Sequence, residues 1–281
     1  MGSNDEARAW EEVSEAWERY APFIEQASSA IQEWLLQALK PKAGQVFLDL
    51  AAGTGPTTIA LAEAVGPGGK VICTDYSVPM VDAARRAVEK RGLRNVEFRQ
   101  ADAQDIRLPD SSVDGAVCRF AIMLVPDQGT AAREVHRVLR PGGRFAFSTW
   151  AGPDRNPWIA ALGMALAQHG KPAGPNPFEA GGVFSLIEEP SIQDLLVSAG
   201  FIDIEVQRVG GKPSYESFEQ YWEVQSAVAG PAAVLLKSLP ANEVAEIKDS
   251  AEEFTAPFES PDGGLQFPAE AMCAAARRPA S

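Results

Sequence analysis

The sequence is poor in the residues that build metal sites and disulfide frameworks. Its 281 residues include only three cysteines and two histidines. Cys73, Cys118 and Cys273 stand far apart, a spacing that fits neither a set of disulfides nor a zinc site. Each lies in an apolar stretch, so we expect three buried free thiols, no bound metal and a reducing compartment, the cytosol.

Long hydrophobic runs and basic clusters are missing as well. No stretch approaches the roughly 20 apolar residues that a membrane-spanning helix needs, and the polar, acidic start MGSNDEARAW lacks the pattern of a signal peptide. The formal net charge is −13. Because nucleic-acid binders usually need a basic face to displace counterions from phosphates, we expect no nucleic-acid partner.

What the chain does contain is an alternation of short apolar strands with helices. Apolar residues recur at helical spacing over 5–40, where Pro22 is expected to break or bend the helix. Strands and helices then alternate, which predicts an α/β fold with a doubly wound, parallel sheet and right-handed crossovers. The predicted strands in this stretch are 46–50, 70–75, 95–102, 113–120 and 144–150.

The remaining chain is expected to complete the sheet and to cover it. The helix that begins near Gln128 is predicted to end at Gly142 and Gly143. The predicted division is a helical lid (1–40), a cofactor-binding core (41–150), a cap insertion (151–189), a core helix and strand (190–210), a helical cap insertion (211–256), and a final edge strand with the tail (257–281).

The stretch VFLDLAAGTGPTTIALAE, residues 46–63, indicates where a ligand binds. A strand ends there, and a loop of small residues, Ala51, Gly53, Thr54 and Gly55 among them, leads into a helix. Small residues let the backbone approach a ligand closely, and such a crevice at the carboxyl ends of the strands is the usual ligand site of this sheet. The dinucleotide fingerprint needs a third glycine where Thr58 stands, and no P-loop pattern is present.

Acids follow three of the predicted strands. Asp49 precedes the loop, Asp75 can accept both hydroxyls of a ribose, and Asp102, between Ala101 and Ala103, can accept from an adenine amino group. Acids would repel a pyrophosphate. The pattern therefore favours an adenosine with a free ribose and a neutral or positively charged tail.

Four ordered motifs carry a resemblance to a known family. The motifs LDLAAGTG, TDYS, QADAQDIRLPDSSVD and REVHRVLRPGGRFAFSTW resemble the class I S-adenosylmethionine-dependent methyltransferases, especially the ubiquinone/menaquinone-type small-molecule subgroup. The resemblance implies a seven-stranded, mostly parallel sheet with a helical cap, S-adenosyl-L-methionine as cofactor and S-adenosyl-L-homocysteine as product. Ala51 departs from the family, which usually has glycine there.

The resemblance also implies roles for individual residues. Loop 51–55 would approach the methionine part of the cofactor, Arg119 and Phe120 would flank the methyl donor, and Tyr20 in the lid would face the sulfonium. The implied cofactor-binding residues are Tyr20, Asp49, Ala51, Gly53, Thr54, Gly55, Asp75, Tyr76, Met80, Ala101, Asp102, Ala103, Arg119 and Phe120.

Structural alternatives stay open for several of these residues. Asp49 could cap loop amides, Asp102 could form a turn, and Tyr20 could be ordinary helix packing. His169 is the candidate general base, against a helix-end histidine without a catalytic role. The aromatics Trp150, Phe184 and Trp222 could contact the substrate or form the core of the cap.

The function predicted from the sequence is methyl transfer to the oxygen, nitrogen or carbon of a small organic acceptor. Two alternatives remain: an enzyme that keeps the cofactor but catalyses a cyclisation or decarboxylation, and a cofactor-sensing binding module. A homodimer also remains open.

Overall fold

A computed structural model describes residues 3–280, with side chains from Arg8 onward. The strands are β1 (Val46–Leu50), β2 (Lys70–Asp75), β3 (Val96–Gln100), β4 (Val113–Arg119), β5 (Leu139–Trp150), β6 (Ile202–Gly211), β7 (Ser214–Tyr215), β8 (Leu265–Gln266) and β9 (Ala269–Arg277). The helices are α1 (Ser3–Glu12), α2 (Ser14–Ala27), α3 (Ser29–Leu39), α4 (Pro56–Val65), α5 (Val78–Lys90), α6 (Gln128–Val138), α7 (Pro157–Gln168), α8 (Glu189–Ser198), α9 (Phe218–Val228), α10 (Pro231–Ser238) and α11 (Ala241–Thr255).

Seven strands form one sheet in the order β3-β2-β1-β4-β5-β9-β6. The first five in this order pair in parallel, and β9 pairs antiparallel with both β5 and β6. Each parallel connection passes through a crossover, as the alternation of strands and helices predicted. The predicted fold class, a doubly wound and mostly parallel seven-stranded sheet, is confirmed.

The last strand does not lie at the edge of the sheet, and that prediction was wrong. β9 is inserted between β5 and β6, so β6 forms the edge. The run AEAMCAAAR is almost continuously apolar, as expected for a strand covered on both faces. Met272 and Ala274 pack on one side of the sheet and Cys273 on the other. This composition was the available signal for an interior position.

Two predicted helix boundaries also differ. α6 ends at Val138 rather than at Gly142, because Leu139 is already extended and pairs with Val113 of β4. α2 continues through Pro22, so Pro22 does not break the helix, and the helical segment is interrupted near Ser14 and Ser28 instead; a bend at Pro22 stays a prediction. The Ser14 hydroxyl donates to the carbonyl of Glu11 and the Ser28 hydroxyl to that of Ile24. Serine hydroxyls that bond to the preceding turn compete with the helical backbone in this way.

An apolar cluster fills each face of the sheet because side chains alternate along the strands. In β1, Leu48 and Leu50 point to the cluster under α6 and α8, whereas Phe47 points to the cluster under α3 and α4. The alanines of β9 leave room for Ile31 and Leu35 of α3 on the second face. The two clusters fix the sheet between its helices and thereby fix where the strands end.

Helices beyond the sheet have apolar clusters of their own. Tyr215, Tyr221 and Phe267 belong to one cluster, and Leu166 and Ile247, from α7 and α11, belong to another. These clusters join the two predicted cap insertions, 151–189 and 211–256, to each other. The division of the chain into domains stays a prediction. Within residues 3–280, no helix has both the length and the apolar character needed to cross a membrane. Among the side chains described from Arg8 onward, no three of His, Cys, Asp or Glu are grouped to hold a metal ion.

A glycine in the centre of the sheet yields a stability prediction. A Cβ atom at Gly115 of β4 would overlap the ring of Phe47, which is buried in β1. We expect Gly115→Ala to lower the free energy of unfolding by about 1–3 kcal/mol through overpacking, measured by urea denaturation. The matched control is Gly163→Ala in α7, where the added methyl meets no atom within 4 Å. That change should stabilise the helix by roughly 0.5–1 kcal/mol; equal effects at the two positions would contradict the packing argument.

Candidate active site

The small-residue loop after β1 makes a tight, left-handed path into α4. Ala51, Gly53 and Gly55 have φ angles of 54°, 56° and 84°. At Gly55 a Cβ atom would lie 2.9 Å from the Cβ of Ala84 in α5, so the loop needs a residue without a side chain there. Ala51 adopts the left-handed conformation even though it carries a Cβ atom, which costs about 1 kcal/mol or more. The loop backbone is thus held close against α5 at the carboxyl edge of the sheet.

Asp49, the fourth residue of β1, has a buried carboxyl group in which one oxygen has no hydrogen-bond partner among the described residues. Its side chain is about 1% exposed, and its Oδ2 accepts a hydrogen bond of 2.6 Å from the Thr58 hydroxyl in α4. Oδ1 has no hydrogen-bond partner among the described residues. Burial raises the pKa of Asp49 to about 7, against the opposing effects of the Thr58 hydrogen bond and the positive charge of Arg119. The free oxygen is available to a donor from a ligand.

Asp75, at the end of β2, ties the loop to the start of the next helix. Its Oδ2 accepts from the backbone N–H of Gly53, and its Oδ1 accepts from that of Ser77, both at 2.9 Å. Burial raises the pKa of Asp75, while these backbone hydrogen bonds oppose the rise. Each carboxylate oxygen can accept a second hydrogen bond. The geometry therefore leaves Asp75 able to accept from two hydroxyl groups.

The third acid, Asp102, lies in a turn after β3. Its Oδ1 accepts from the backbone N–H of Gln104 at 2.8 Å, and the Gln104 side-chain amide lies 3.2 Å from the same oxygen. This is the turn that was the structural alternative for Asp102. Ala103 is buried, and the Ala101 N–H donates to the carbonyl of Asp75, so β2 and this turn are joined directly.

Two further candidates sit beside the end of β2. Tyr76 is 41% exposed and follows Asp75 directly, whereas Met80 in α5 is buried. Met80 packs with Val13 and Ala233, which belong to the lid and to α10. Tyr76 can therefore lie against a ligand at this edge, while Met80 supports the junction of core, lid and cap.

Arg119 is the cation at this edge of the sheet. It ends β4, and its Nη1 donates to the Ser28 hydroxyl at 3.1 Å. Burial lowers the pKa of Arg119, and the negative charges of Asp49 and Glu25 oppose that effect. The guanidinium is thus bonded to the break between α2 and α3, and its positive charge acts on the buried carboxyl group of Asp49 without a hydrogen bond to it.

Phe120, the next residue, begins a row of three aromatic rings. Its φ is 56°, a strained value for an aromatic residue, and its N–H donates to the backbone carbonyl and the hydroxyl of Ser148. The ring stacks on Trp150 with a centroid distance of 3.8 Å and an angle of 11°. Trp158 lies edge-to-face to Trp150 at 5.2 Å and 88°. The row therefore joins the ends of β4 and β5 to the start of α7, which belongs to the first cap insertion.

The lid helices are attached to both the core and the cap. The Tyr20 hydroxyl donates to Glu223 in α9 at 2.6 Å, and this hydrogen bond raises the pKa of Tyr20. Glu18 forms a two-pronged ion pair with Arg86 in α5. The Trp17 indole N–H donates to the carbonyl of Val228. The Tyr20 hydroxyl therefore has a cap partner, and a contact between its ring and a cofactor stays a prediction.

The remaining sequence candidates are not gathered at the strand ends. His169 follows α7, where its Nε2 lies 2.9 Å from the Ser250 hydroxyl of α11. The 12 residues of α7 extend for about 18 Å. Because α7 starts a few residues after β5, His169 at its far end is remote from the end of β5 and lies at the contact between α7 and α11. Phe184 stacks on Phe178 in the segment after α7, and Trp222 packs in the cluster between α7 and α11.

Sequence reasoning missed the partners that hold the acids. In the sequence, Thr58 is notable only because it stands where a dinucleotide fingerprint would need glycine. In the structure, its hydroxyl donates a hydrogen bond to Asp49. Ser28, Glu25 and Ser148 were not singled out, and no local motif marks them because their partners are distant in sequence. The signal that could have found Thr58 is its place in the first turn of a helix that begins close to a buried acid.

Comparisons with known proteins agree with this geometry. Residues 47–143 match the family model described as a methyltransferase domain. A demethylmenaquinone methyltransferase of Geobacillus stearothermophilus is 40% identical over 109 residues, which cover 39% of this chain and 47% of that protein. Among the relatives of this name, the matched part spans 47% to 66% of the relative's length.

Solved structures share the fold over more of the chain. A structure from Bacillus halodurans, provisionally assigned as a methyltransferase, is 21% identical with a TM-score of 0.60 and covers 88% of this chain and 98% of that one. A SAM-dependent methyltransferase of Aquifex aeolicus is 25% identical with a TM-score of 0.50, covering 65% and 84% of the two chains. The first similarity extends beyond the matched domain into the cap segments.

The buried acid generates a pH prediction for the cofactor-free protein. An aspartate in an unfolded chain has a pKa near 3.9, and that of Asp49 is about 7 in the folded state. Between these values the folded protein holds a proton that the unfolded chain has lost. The free energy of unfolding contributed by Asp49 therefore falls as the pH rises from about 4 to about 7 and is constant above that.

Asp49→Asn should remove this slope. In urea denaturation the variant should gain on the order of 2 kcal/mol relative to the wild type between pH 5 and pH 8. The measured quantity is how the difference in free energy of unfolding between variant and wild type changes with pH. The size of that difference at a single pH is not used, because the new amide adds a contribution that does not depend on pH. Asp82→Asn, at an exposed acid of α5, should show no such change. A difference between wild type and Asp49→Asn that is independent of pH would contradict the assignment.

Proposed function

We propose that this chain, a member of the class I S-adenosylmethionine-dependent methyltransferases, binds S-adenosyl-L-methionine at the carboxyl edge of its sheet and transfers the methyl group to a small organic acceptor beneath the cap. The resemblance seen in the sequence is confirmed by the domain match over 47–143 and by the demethylmenaquinone methyltransferase relatives. Activity and acceptor are proposals, since the match spans only part of those relatives.

The observation that carries the proposal is the unpartnered, buried Oδ1 of Asp49 beside the loop. A buried carboxylate without a partner for one oxygen is unfavourable. The ammonium group of the cofactor's methionine part would supply both a donor and a positive charge, and either would lower the pKa of Asp49 again. Asp75 and Asp102 add negative potential, which suits a sulfonium and disfavours phosphates. The residues therefore fit this cofactor.

The other residues divide the cofactor between them. Asp75 would accept the two ribose hydroxyls through the lone pairs that Gly53 and Ser77 leave free. Tyr76 would lie beside the adenine, and Ala101, Asp102 and Ala103 would contact its edge. The loop of Ala51, Gly53, Thr54 and Gly55 would approach the methionine part, with Tyr20 and Met80 closing the lid side.

The chain's own contribution to the reaction is alignment and exclusion of water. When bound, S-adenosylmethionine supplies an activated methyl group and leaves as S-adenosylhomocysteine, while the acceptor atom gains the methyl and loses a proton. Holding acceptor and methyl in line can supply several kcal/mol of the barrier reduction. Arg119 and Phe120 would flank the methyl group where it meets the acceptor, and the lid, through its contacts to α9 and α10, would close the site from solvent.

We further propose that the acceptor is flat, largely apolar and oxygen-bearing. The stacked Phe120 and Trp150 rings offer an aromatic face. The partly buried guanidinium of Arg119 would stabilise an ionised oxygen beside it, which favours O-methylation or methylation of a carbon next to such an oxygen. The relatives named for demethylmenaquinone make a bicyclic quinol one candidate. Residence in the cytosol, the lack of a nucleic-acid partner and a homodimer stay predictions.

Isotope transfer tests the activity. Purified protein, S-adenosylmethionine with a labelled methyl group and a small-molecule extract of the source cells should yield a labelled product whose mass and fragments identify the acceptor. Asp75→Ala should weaken cofactor binding about a hundredfold, because it removes two hydrogen bonds made to a charged group. Calorimetry measures that change.

The matched control is Asp82→Ala, which removes an exposed acid of α5 and should bind the cofactor like the wild type. Circular dichroism checks that Asp75→Ala remains folded, since Asp75 also holds Gly53 and Ser77. Wild-type protein that does not bind S-adenosylmethionine would refute the proposal. Tight binding without any labelled product would favour a reaction other than methylation.

A further inference from the structure

The indole N–H of Trp158 is a donor for which the fold supplies no acceptor. Its Nε1 is shielded from solvent and has no hydrogen-bond partner among the described residues. A buried tryptophan N–H normally finds a partner, and leaving one unmade costs about 1–3 kcal/mol. In contrast, the indoles of Trp17 and Trp34 donate to Val228 and Gln207. The unpaired donor therefore requires an explanation.

The position of Trp158 relates it to the acceptor rather than to the cofactor. It is the second residue of α7, which follows β5 beyond the edge where the strands end. Its backbone carbonyl accepts from the buried Tyr221 hydroxyl at 2.9 Å, which anchors the start of α7 to α9. Its ring completes the row that begins at Phe120 beside Arg119. The row therefore carries two indole N–H groups, those of Trp150 and Trp158, and the one of Trp158 is buried without a hydrogen-bond partner among the described residues.

We propose that Trp158 is a specificity-determining residue whose Nε1–H donates a hydrogen bond to a carbonyl or hydroxyl oxygen of the methyl acceptor. This inference rests on the proposed function, which places the acceptor against Phe120 and Trp150. The rings hold the flat part of the molecule, and the buried, unpartnered donor of Trp158 selects its orientation and rejects hydrocarbons of the same shape. Such a buried donor discriminates because it stays unpaired when the oxygen is missing.

The competing partner for this N–H is the π face of Trp150. The two rings are nearly perpendicular, so an edge of one meets the face of the other. An N–H···π contact is a second-order interaction compared with an N–H···O bond. The two partners make different predictions, because a π contact is present in the free protein and does not depend on an oxygen in the ligand.

The test compares two probes that differ by one oxygen. 1-Indanone is a flat bicyclic ketone, and indane is the same hydrocarbon without the carbonyl group. Each is titrated into the full chain saturated with S-adenosylhomocysteine, for the wild type and for Trp158→Phe, which keeps an aromatic ring and deletes the donor. We expect the wild type to prefer the ketone about tenfold and the variant to lose that preference while binding indane unchanged.

A spectroscopic readout follows the hydrogen bond itself. In protein with ¹⁵N-labelled tryptophan, the Trp158 indole signal is the one missing from Trp158→Phe. The ketone should move this signal downfield, and indane should not. Trp34→Phe is the matched control, since its indole already donates to Gln207 on α3's side of the sheet, and it should keep the ketone preference. Thermal denaturation verifies that each variant is folded.

The possible outcomes distinguish failure of this inference from failure of the proposed function on which it rests. Failure to bind S-adenosylhomocysteine would remove the proposed function and the inference with it. Three results, each with S-adenosylhomocysteine still bound, would overturn the role of Trp158 alone. They are an unchanged ketone preference in Trp158→Phe, an indole signal that the ketone does not move, and no saturable binding of either probe.

Discussion

The buried carboxyl group of Asp49 is the constraint on which the rest of the site depends. It is held at the end of β1 by one hydrogen bond from Thr58, so α4 must start close to the strand and the loop between them must be short and left-handed. Asp75 then binds the same loop from β2 through Gly53. Two acids on neighbouring strands thus shape the backbone that a cofactor would touch. They also give the site its negative potential, which only a cationic or donor-rich ligand relieves.

The lid helices connect this site to the cap through directional contacts. Arg119 bonds to Ser28 at the break between α2 and α3, Glu18 pairs with Arg86, and Tyr20 reaches Glu223. The exposed ion pair contributes little to stability by itself. The ion pair instead helps to position the lid, because it attaches the lid helix α2 to α5 of the core. The aromatic row from Phe120 to Trp158 ends in the apolar cluster that also contains Trp17 and Tyr20 of the lid.

The sequence predicted the site where the needed information was local. A strand followed by small residues and a helix start marked the loop, and acids at the ends of strands marked Asp49, Asp75 and Asp102. Contacts that join distant segments could not be predicted, because neither Thr58 nor Ser28 has a motif that names its partner. The place of β9 was mispredicted for a similar reason: a last strand suggests an edge, whereas its alanine-rich faces allow helix α3 and the neighbouring strands to enclose it.

By itself, the sequence determined the alternation of strands and helices, the small-residue loop, the acids that follow the strands and the family resemblance that four ordered motifs carry. These are properties of short segments, set by side-chain periodicity and by backbone conformations that few residues adopt. Only the tertiary structure decided that Asp49 keeps an unpartnered oxygen, that His169 packs against α11, and that Trp158 presents a buried N–H beside Trp150. Burial and pairing depend on which distant segments meet, and folding alone brings those segments together.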